Sequence, residues 1–216
     1  MRKFLLLALA LLASWNVKSH AKDRAPLRLV QTIPMPNVKG RIDHIDVDVK
    51  GKRLFVAGLE NGSLEVVDLQ SGKWLKSIPG FKKTQGIAFV PSLNKLFVAS
   101  GDDGMVRVFR GDSLELLDAI KLDLGPNRFA YDFHAQLLFV GYGGKDAGKD
   151  FGEVGIIDAK TDRHLGDIKV EAHPMGMRIG EVLGLEIDKH FADDFSTVLV
   201  RQKVRKCEME DYLKTD

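Results

Sequence analysis

One motif recurs along this chain at a constant interval, and that interval restricts the possible folds more than any other feature. Leu54-Phe55-Val56-Ala57 returns 42 residues later as Leu96-Phe97-Val98-Ala99, and after another 42 residues as Leu138-Phe139-Val140-Gly141. Three further short apolar runs accompany each copy, and turns rich in Gly, Asn, Asp and Ser separate them. A unit of roughly 40 to 45 residues with four strands is typical of one β-propeller blade. The alternative, an unrelated all-β sandwich, would need this threefold register by accident.

The alternation of apolar and polar residues within the runs has a period of two, which favours strands over helices. We therefore predict an all-β fold, a partial (open) β-propeller of four-stranded antiparallel blades with a non-repeat C-terminal tail. The repeat region covers 22–178, with blades at about 42–80, 84–121 and 126–170 and the start of a fourth at His173, and the divergent tail covers 179–216. In the second unit, the fourth strand is predicted at 114–118.

The repeat pattern stops after three complete units and the start of a fourth. The third unit carries six extra residues within Tyr142–Glu153. The 42-residue interval, lengthened by these six, places the next second strand at Glu186-Ile187-Asp188, which does not match the motif. Closed propellers use about four to eight blades, so three units and a beginning leave two sheet faces open. Three explanations remain open: a truncated copy of a longer propeller, a short array that pairs with another chain, or a tail that caps an open face. In the tail, Val198-Leu199-Val200 is a candidate strand.

The repeat resembles the YVTN-type β-propeller repeats of YncE-like secreted bacterial proteins. The resemblance lies in Phe-Val-Ala on the second strand and in Val66-Val67-Asp68 before a Ser-Gly turn, and it covers about residues 28–178. The second unit departs from it, because Arg110 stands where the other units have Asp68 and Asp158. The resemblance implies a propeller fold, and it implies function only weakly.

The first 21 residues have the pattern of a secretory signal peptide. Arg2 and Lys3 precede an apolar run of ten residues, and Ser19-His20-Ala21 offers small residues for cleavage. This run is about half as long as a membrane-spanning helix, so we expect a periplasmic or extracellular protein with no membrane span after signal cleavage. A single cysteine, Cys207, excludes an intrachain disulfide. Cleavage would leave 29 basic against 30 acidic residues, so the mature charge gives no support to nucleic-acid binding.

We predict that any ligand binds on one face of the blades, where the loops that enter each first strand meet the loops between second and third strands. Loops on a rigid scaffold often carry binding residues. The candidate ligand-binding residues on this face are Arg41, His44, Gln85, Asn127, Arg128, His173 and Arg178. As alternatives, the two arginines nearest the axis, Arg41 and Arg128, could pair with Asp43, Asp46 or Asp132, and the histidines could be packed, hydrogen-bonded channel residues.

No catalytic, metal or cofactor motif stands out. Only two histidines fall on the candidate face, whereas a metal site needs three or four converging ligands. The Gly143–Asp150 segment lacks the phosphate-loop pattern and the alternating acids of a calcium loop. It is predicted to be a solvated flexible loop, with a binding lid as the second interpretation.

The leading hypothesis is a non-catalytic, secreted or periplasmic scaffold that binds a small ligand or a protein partner, or that self-associates through its open blade faces. The resemblance permits a propeller lactonase as the alternative, with His44, Arg128 and His173 polarising a ring ester. It also suggests single-stranded DNA binding, which the mature charge and the scarcity of aromatic residues make the least favoured hypothesis.

Overall fold

The computed structural model describes residues 27–174, 176–177, 179–181 and 199–201. The chain divides after Thr32. Ahead of that point, residues 27–32 are exposed and have no regular secondary structure. All of the strands lie in the unit that begins at Ile33. In the described part of the chain, no helix is long and apolar enough to cross a membrane.

Three four-stranded antiparallel sheets follow one another along the chain, each with its strands in sequence order. Blade 1 contains β1 (Ile42–Asp48), β2 (Arg53–Gly58), β3 (Ser63–Asp68) and β4 (Lys73–Pro79). Blade 2 contains β5 (Thr84–Val90), β6 (Lys95–Ser100), β7 (Met105–Arg110) and β8 (Leu116–Lys121). Blade 3 contains β9 (Phe129–Asp132), β10 (Leu137–Gly143), β11 (Gly152–Asp158) and β12 (Arg163–Val170). The prediction of an all-β, partial β-propeller is thus confirmed.

The core lies between the blades, as expected for sheets that bury both faces. β6 shows this directly, because Leu96 and Val98 belong to the cluster against blade 1 whereas Phe97 belongs to the cluster against blade 3. All three side chains are fully buried. Burial of a large apolar side chain stabilises a fold by about 1.5–3 kcal/mol. Because alternate side chains of β6 are buried against blade 1 and against blade 3, this strand contributes to the packing between all three sheets.

The fourth strand of blade 2 differs from the sequence prediction. In blades 1 and 3, the carboxylates of Asp68 and Asp158 accept backbone hydrogen bonds that close a turn of four residues. In blade 2, Arg110 cannot accept such bonds. The turn nevertheless keeps the same pairing register, because Phe109 pairs with Leu116 as Val67 pairs with Trp74. The Leu114 amide donates to the Arg110 carbonyl, as the Asp162 amide donates to the Asp158 carbonyl in blade 3. β8 begins at Leu116 rather than at 114, because Leu114 has the positive φ of a turn residue, as Gly72 and Asp162 do in the other blades.

After blade 3, a strand begins where a fourth blade would start. β13 (Ile179–Glu181) lies beside β9 and pairs with β14 (Leu199–Arg201). The pair is parallel, whereas neighbouring strands within the blades are antiparallel. The candidate strand predicted at 198–200 is therefore present with a shift of one residue, but it does not form a blade hairpin. The unmatched segment 186–188 and Cys207 lie outside the described residues.

Candidate functional site

The first strands of the three blades are neighbours, since β1 contacts β5 and β5 contacts β9. Near its beginning β1 has an irregular register with β2, and β5 has the same irregularity with β6. Each interruption spans two residues, Asp43 and His44 in β1 and Gln85 and Gly86 in β5. Such a bulge redirects side chains away from the regular pleat. These strand entries surround a cavity of about 680 Å³.

The structure brings four of the predicted site residues together at this cavity. Arg41, Gln85, Asn127 and His173 line it. His44 and Arg128 are absent from the lining, and Arg178 lies outside the described residues.

The cavity repeats the chain's 42-residue register. Asp43, Gln85 and Asn127 follow one another at that interval, and all three line the cavity. Two positions earlier in the repeat, Arg41 and Lys83 also lie 42 residues apart and also line it. The list of candidate residues from the sequence omitted Asp43 and Lys83. Their equivalence to Gln85 and Arg41 in the repeat is the signal that could have identified them.

The two amide side chains at the cavity are buried without hydrogen-bond partners for their oxygens. Gln85 is 5% exposed and Asn127 is 8% exposed. Within the described part of the chain, neither Gln85 Oε1 nor Asn127 Oδ1 has a partner. A buried acceptor left in this state costs about 1–3 kcal/mol, and most buried polar groups in proteins are satisfied. Both oxygens are therefore unsatisfied acceptors on side chains that line the cavity.

Glycine residues allow this close packing. A Cβ atom on Gly86 would lie 1.5 Å from the backbone carbonyl oxygen of Asn127, and one on Gly101 would lie 2.1 Å from Gln85 Oε1. Any larger residue at Gly86 would therefore push β5 away from the entry to β9. The positions of Gln85 and Asn127 thus depend on two glycines, which have no side chain at the points of contact.

His173 is held by the backbone of blade 3. Its Nδ1 lies 3.0 Å from the carbonyl oxygen of Gly143. Because a carbonyl only accepts, Nδ1 carries the proton and Nε2 is the ring nitrogen left for a ligand. The segment around His173 packs against Gly144 and Gly152, where added Cβ atoms would lie within 3 Å of it. This hydrogen bond agrees with the alternative given for His173 from the sequence, a packed, hydrogen-bonded channel residue.

His44 is half-buried beside Asp43 and away from the cavity. Its Nδ1 is 3.3 Å from Asp43 Oδ2, without the alignment of a hydrogen bond. Burial lowers the pKa of His44, the Asp43 carboxylate opposes this shift, and the positive charge of Arg128 adds to it. The ring is thus neutral near pH 7. Asp46, one of the predicted arginine partners, instead accepts a hydrogen bond from the Phe89 amide at 2.6 Å.

The six-residue insertion of blade 3 forms one wall of the cavity. It begins with a 3-10 turn, Gly144–Ala147, and its ends are joined by a bond from the Gly144 amide to the Phe151 carbonyl. Lys149 lies 2.8 Å from Asp123 and 2.9 Å from Glu153. Hydrogen bonds to these two carboxylates raise the pKa of Lys149, so it stays protonated. In the segment predicted as a solvated flexible loop, Lys145, Asp146 and Asp150 are exposed, while hydrogen bonds and the ion pairs of Lys149 fasten it to the blade.

The charges around the cavity balance. The basic side chains that line it are Arg41, Lys83, Lys145 and Lys149, and the acidic ones are Asp43, Asp146, Asp150 and Glu171. Among the described residues, no three His, Cys, Asp or Glu side chains are grouped as metal ligands. The site can thus offer hydrogen-bond donors and acceptors of both charges to one small molecule.

Comparison with known proteins identifies the fold and no family. No protein-family model and no curated protein matches the chain. Among solved structures, the chain is similar to hydrazine synthase of Kuenenia stuttgartiensis, a β-propeller-containing protein, with a TM-score of 0.54 and 22% identity over 59% of this chain. The match spans 36% of that protein's length. At this identity the likeness concerns fold alone, and it agrees with the repeated four-stranded sheets: the chain is an all-β protein with a partial β-propeller fold.

Proposed function

We propose that this chain is a non-catalytic, propeller-type binding protein that holds a small polar ligand in the cavity between its blade entries. The observation that carries the proposal is the pair of buried amides, Gln85 and Asn127, whose oxygens lack partners within the described residues. Ligand sites are typically concave, with a few well-placed polar groups. A ligand that donates hydrogen bonds to these oxygens would recover the free energy lost by their burial.

The size and the rigidity of the cavity support this proposal. Its volume of about 680 Å³ falls in the range of about 300–1,000 Å³ that small-molecule sites occupy. Gln85 of β5 and Asn127, just before β9, line one side, and the hydrogen-bonded segment that starts at Gly144 lines another. A preformed site loses little conformational entropy on binding.

The experiment is a screen of small polar metabolite classes against the purified chain by thermal shift, followed by calorimetry of the hits. We expect Asn127→Leu to weaken binding of a true ligand about 5- to 13-fold, because a buried hydrogen bond is worth about 1–1.5 kcal/mol. The matched control is Gln70→Leu, a change of the same kind at an exposed turn. If every hit binds Asn127→Leu as tightly as the unaltered chain, the cavity is not the ligand site.

The alternative functions draw less support from the geometry. The lactonase hypothesis needs His44, Arg128 and His173 at one site, and only His173 lines the cavity. Binding of single-stranded DNA relies on aromatic side chains that stack on bases, and the described lining of the cavity includes none.

We also propose that the chain is an exported member of the YncE-like group. The charged start, the apolar run and Ser19-His20-Ala21 support export, and the Phe-Val-Ala repeat supports the relationship. Expression of the whole chain in a Gram-negative host should yield periplasmic protein whose first residue is Lys22. Recovery from the cytoplasm with residues 1–21 still attached would contradict export.

A further inference from the structure

The cavity combines two kinds of ligand-binding group in a fixed order along the strands. Arg41 and Lys83 occupy one position of the repeat, and Asp43 and Gln85 occupy the position two residues further on. The cavity thus has a set of two cations, Arg41 and Lys83, and a set of oxygen acceptors, Asp43 and Gln85, to which Asn127 adds a third from the entry to blade 3.

From this order we infer that the ligand is a small zwitterion, a molecule such as an amino acid or short peptide with a protonated amine and a carboxylate. The inference rests on the proposed function and names its ligand class. An ammonium group has three donors and no acceptor, which suits the Asp43 carboxylate and the oxygens of Gln85 and Asn127. A carboxylate accepts bidentate hydrogen bonds from a guanidinium such as that of Arg41.

The charges that remain available at the cavity favour a zwitterion over a simple ion. Basic and acidic side chains line the cavity in equal number, so no net field selects an anion or a cation. Lys149 is neutralised by Asp123 and Glu153, and Lys83 lies 3.5 Å from Asp102. Arg41 is exposed and has no ion pair within the described residues. A ligand of one sign would leave the groups of the opposite set desolvated without a partner, which costs free energy.

The volume limits the size of the ligand. A cavity of about 680 Å³ accommodates molecules from one amino acid to a short peptide, on the scale of small-molecule sites. The amide oxygens are the most buried of the candidate contacts, since Gln85 and Asn127 are less than a tenth exposed. The amine end would therefore lie deepest, and the carboxylate end would lie toward Arg41.

The test is calorimetry of the full chain with L-alanyl-L-alanine and three comparison probes. The probes are its N-acetyl derivative, which removes the ammonium, its C-terminal amide, which removes the carboxylate, and calcium chloride alone. We expect saturable binding of the dipeptide, binding at least tenfold weaker for both derivatives, and no competition from calcium. Loss of one charged hydrogen-bonded contact, at about 1.5–3 kcal/mol, corresponds to that factor or more.

Two variants separate the ends of the ligand. Arg41→Met should weaken the dipeptide at least tenfold and leave the affinity of the C-terminal amide unchanged. Asn127→Leu should weaken the dipeptide and leave the N-acetyl derivative unchanged. The matched control is Arg163→Met, at an exposed arginine of β12, which should bind like the unaltered chain. Because Arg41 is exposed, its variant should fold, and circular dichroism checks this.

The contrary outcomes are distinct. No binding of the dipeptide, or equal binding of its capped derivatives, overturns the zwitterion but not the cavity, provided that another compound binds in a manner sensitive to Asn127→Leu. Binding of calcium alone that this variant abolishes also overturns it, in favour of a cation site. If no compound depends on Asn127, both the inference and the proposed function are wrong.

Discussion

At the residue scale, a glycine determines the shape of the cavity. Gly86 lies where β5 approaches the entry to β9, and the carbonyl oxygen of Asn127 occupies the space of its missing side chain. The 42-residue register could place Gln85 and Asn127 on the same face from sequence alone. Their buried oxygens without partners could not be predicted, because that state depends on how closely Gly86 and Gly101 let the backbones approach.

We predict that Gly86→Ala destabilises the fold by about 3 kcal/mol, the upper part of the usual range for overpacking. The added Cβ would lie 1.5 Å from a backbone oxygen that cannot rotate away. Urea unfolding followed by circular dichroism measures the change. The control is Gly148→Ala, where no atom lies within 4 Å and only the positive φ of 68° opposes the side chain, at a cost of about 1 kcal/mol. Equal losses in the two variants would contradict the close approach.

At the element scale, β6 joins the two halves of the core. Leu96 faces blade 1 and Phe97 faces blade 3, although they are adjacent in sequence. Repeat units of this kind contact mainly their neighbours, so stability propagates from blade to blade. Damage to one face of β6 should therefore appear first in the blade that this face contacts.

Hydrogen exchange of two variants tests this division. Leu96→Ala should speed the exchange of amides in β2 and β3 more than in β10 and β11, and Phe97→Ala should do the reverse. Each change removes a fully buried side chain and should cost about 2–5 kcal/mol. A uniform increase across all three blades in both variants would show instead that the described sheets open as one cooperative unit.

The elements also show where a local apolar run misleads. Leu114 begins a run that looks like a strand, but it has the positive φ of a turn residue, as Gly72 does 42 positions earlier. The pairing register is unchanged, because Phe109 pairs with Leu116 as Val67 pairs with Trp74. The 42-residue interval, counted from Trp74, gives the correct start of β8.

At the scale of the whole molecule, the interval of the motif predicted three antiparallel sheets because each unit carries its own turns and its own period-two faces. The beginning of a fourth unit was also visible at His173. The parallel pairing of Ile179–Glu181 with Leu199–Arg201 was not, since neither segment resembles the repeat. The cavity needed the arrangement of blades in space, because its lining comes from strand entries far apart in sequence.

The wall that begins at Gly144 has a consequence for how this scaffold could diversify. Blade 3 alone carries this insertion, and the two apolar clusters between the sheets draw no side chain from residues 144–151. The inserted segment can thus be replaced without changing the apolar core. A graft of another length between Gly143 and Gly152 would alter what the blades hold while leaving intact the packing that keeps them together.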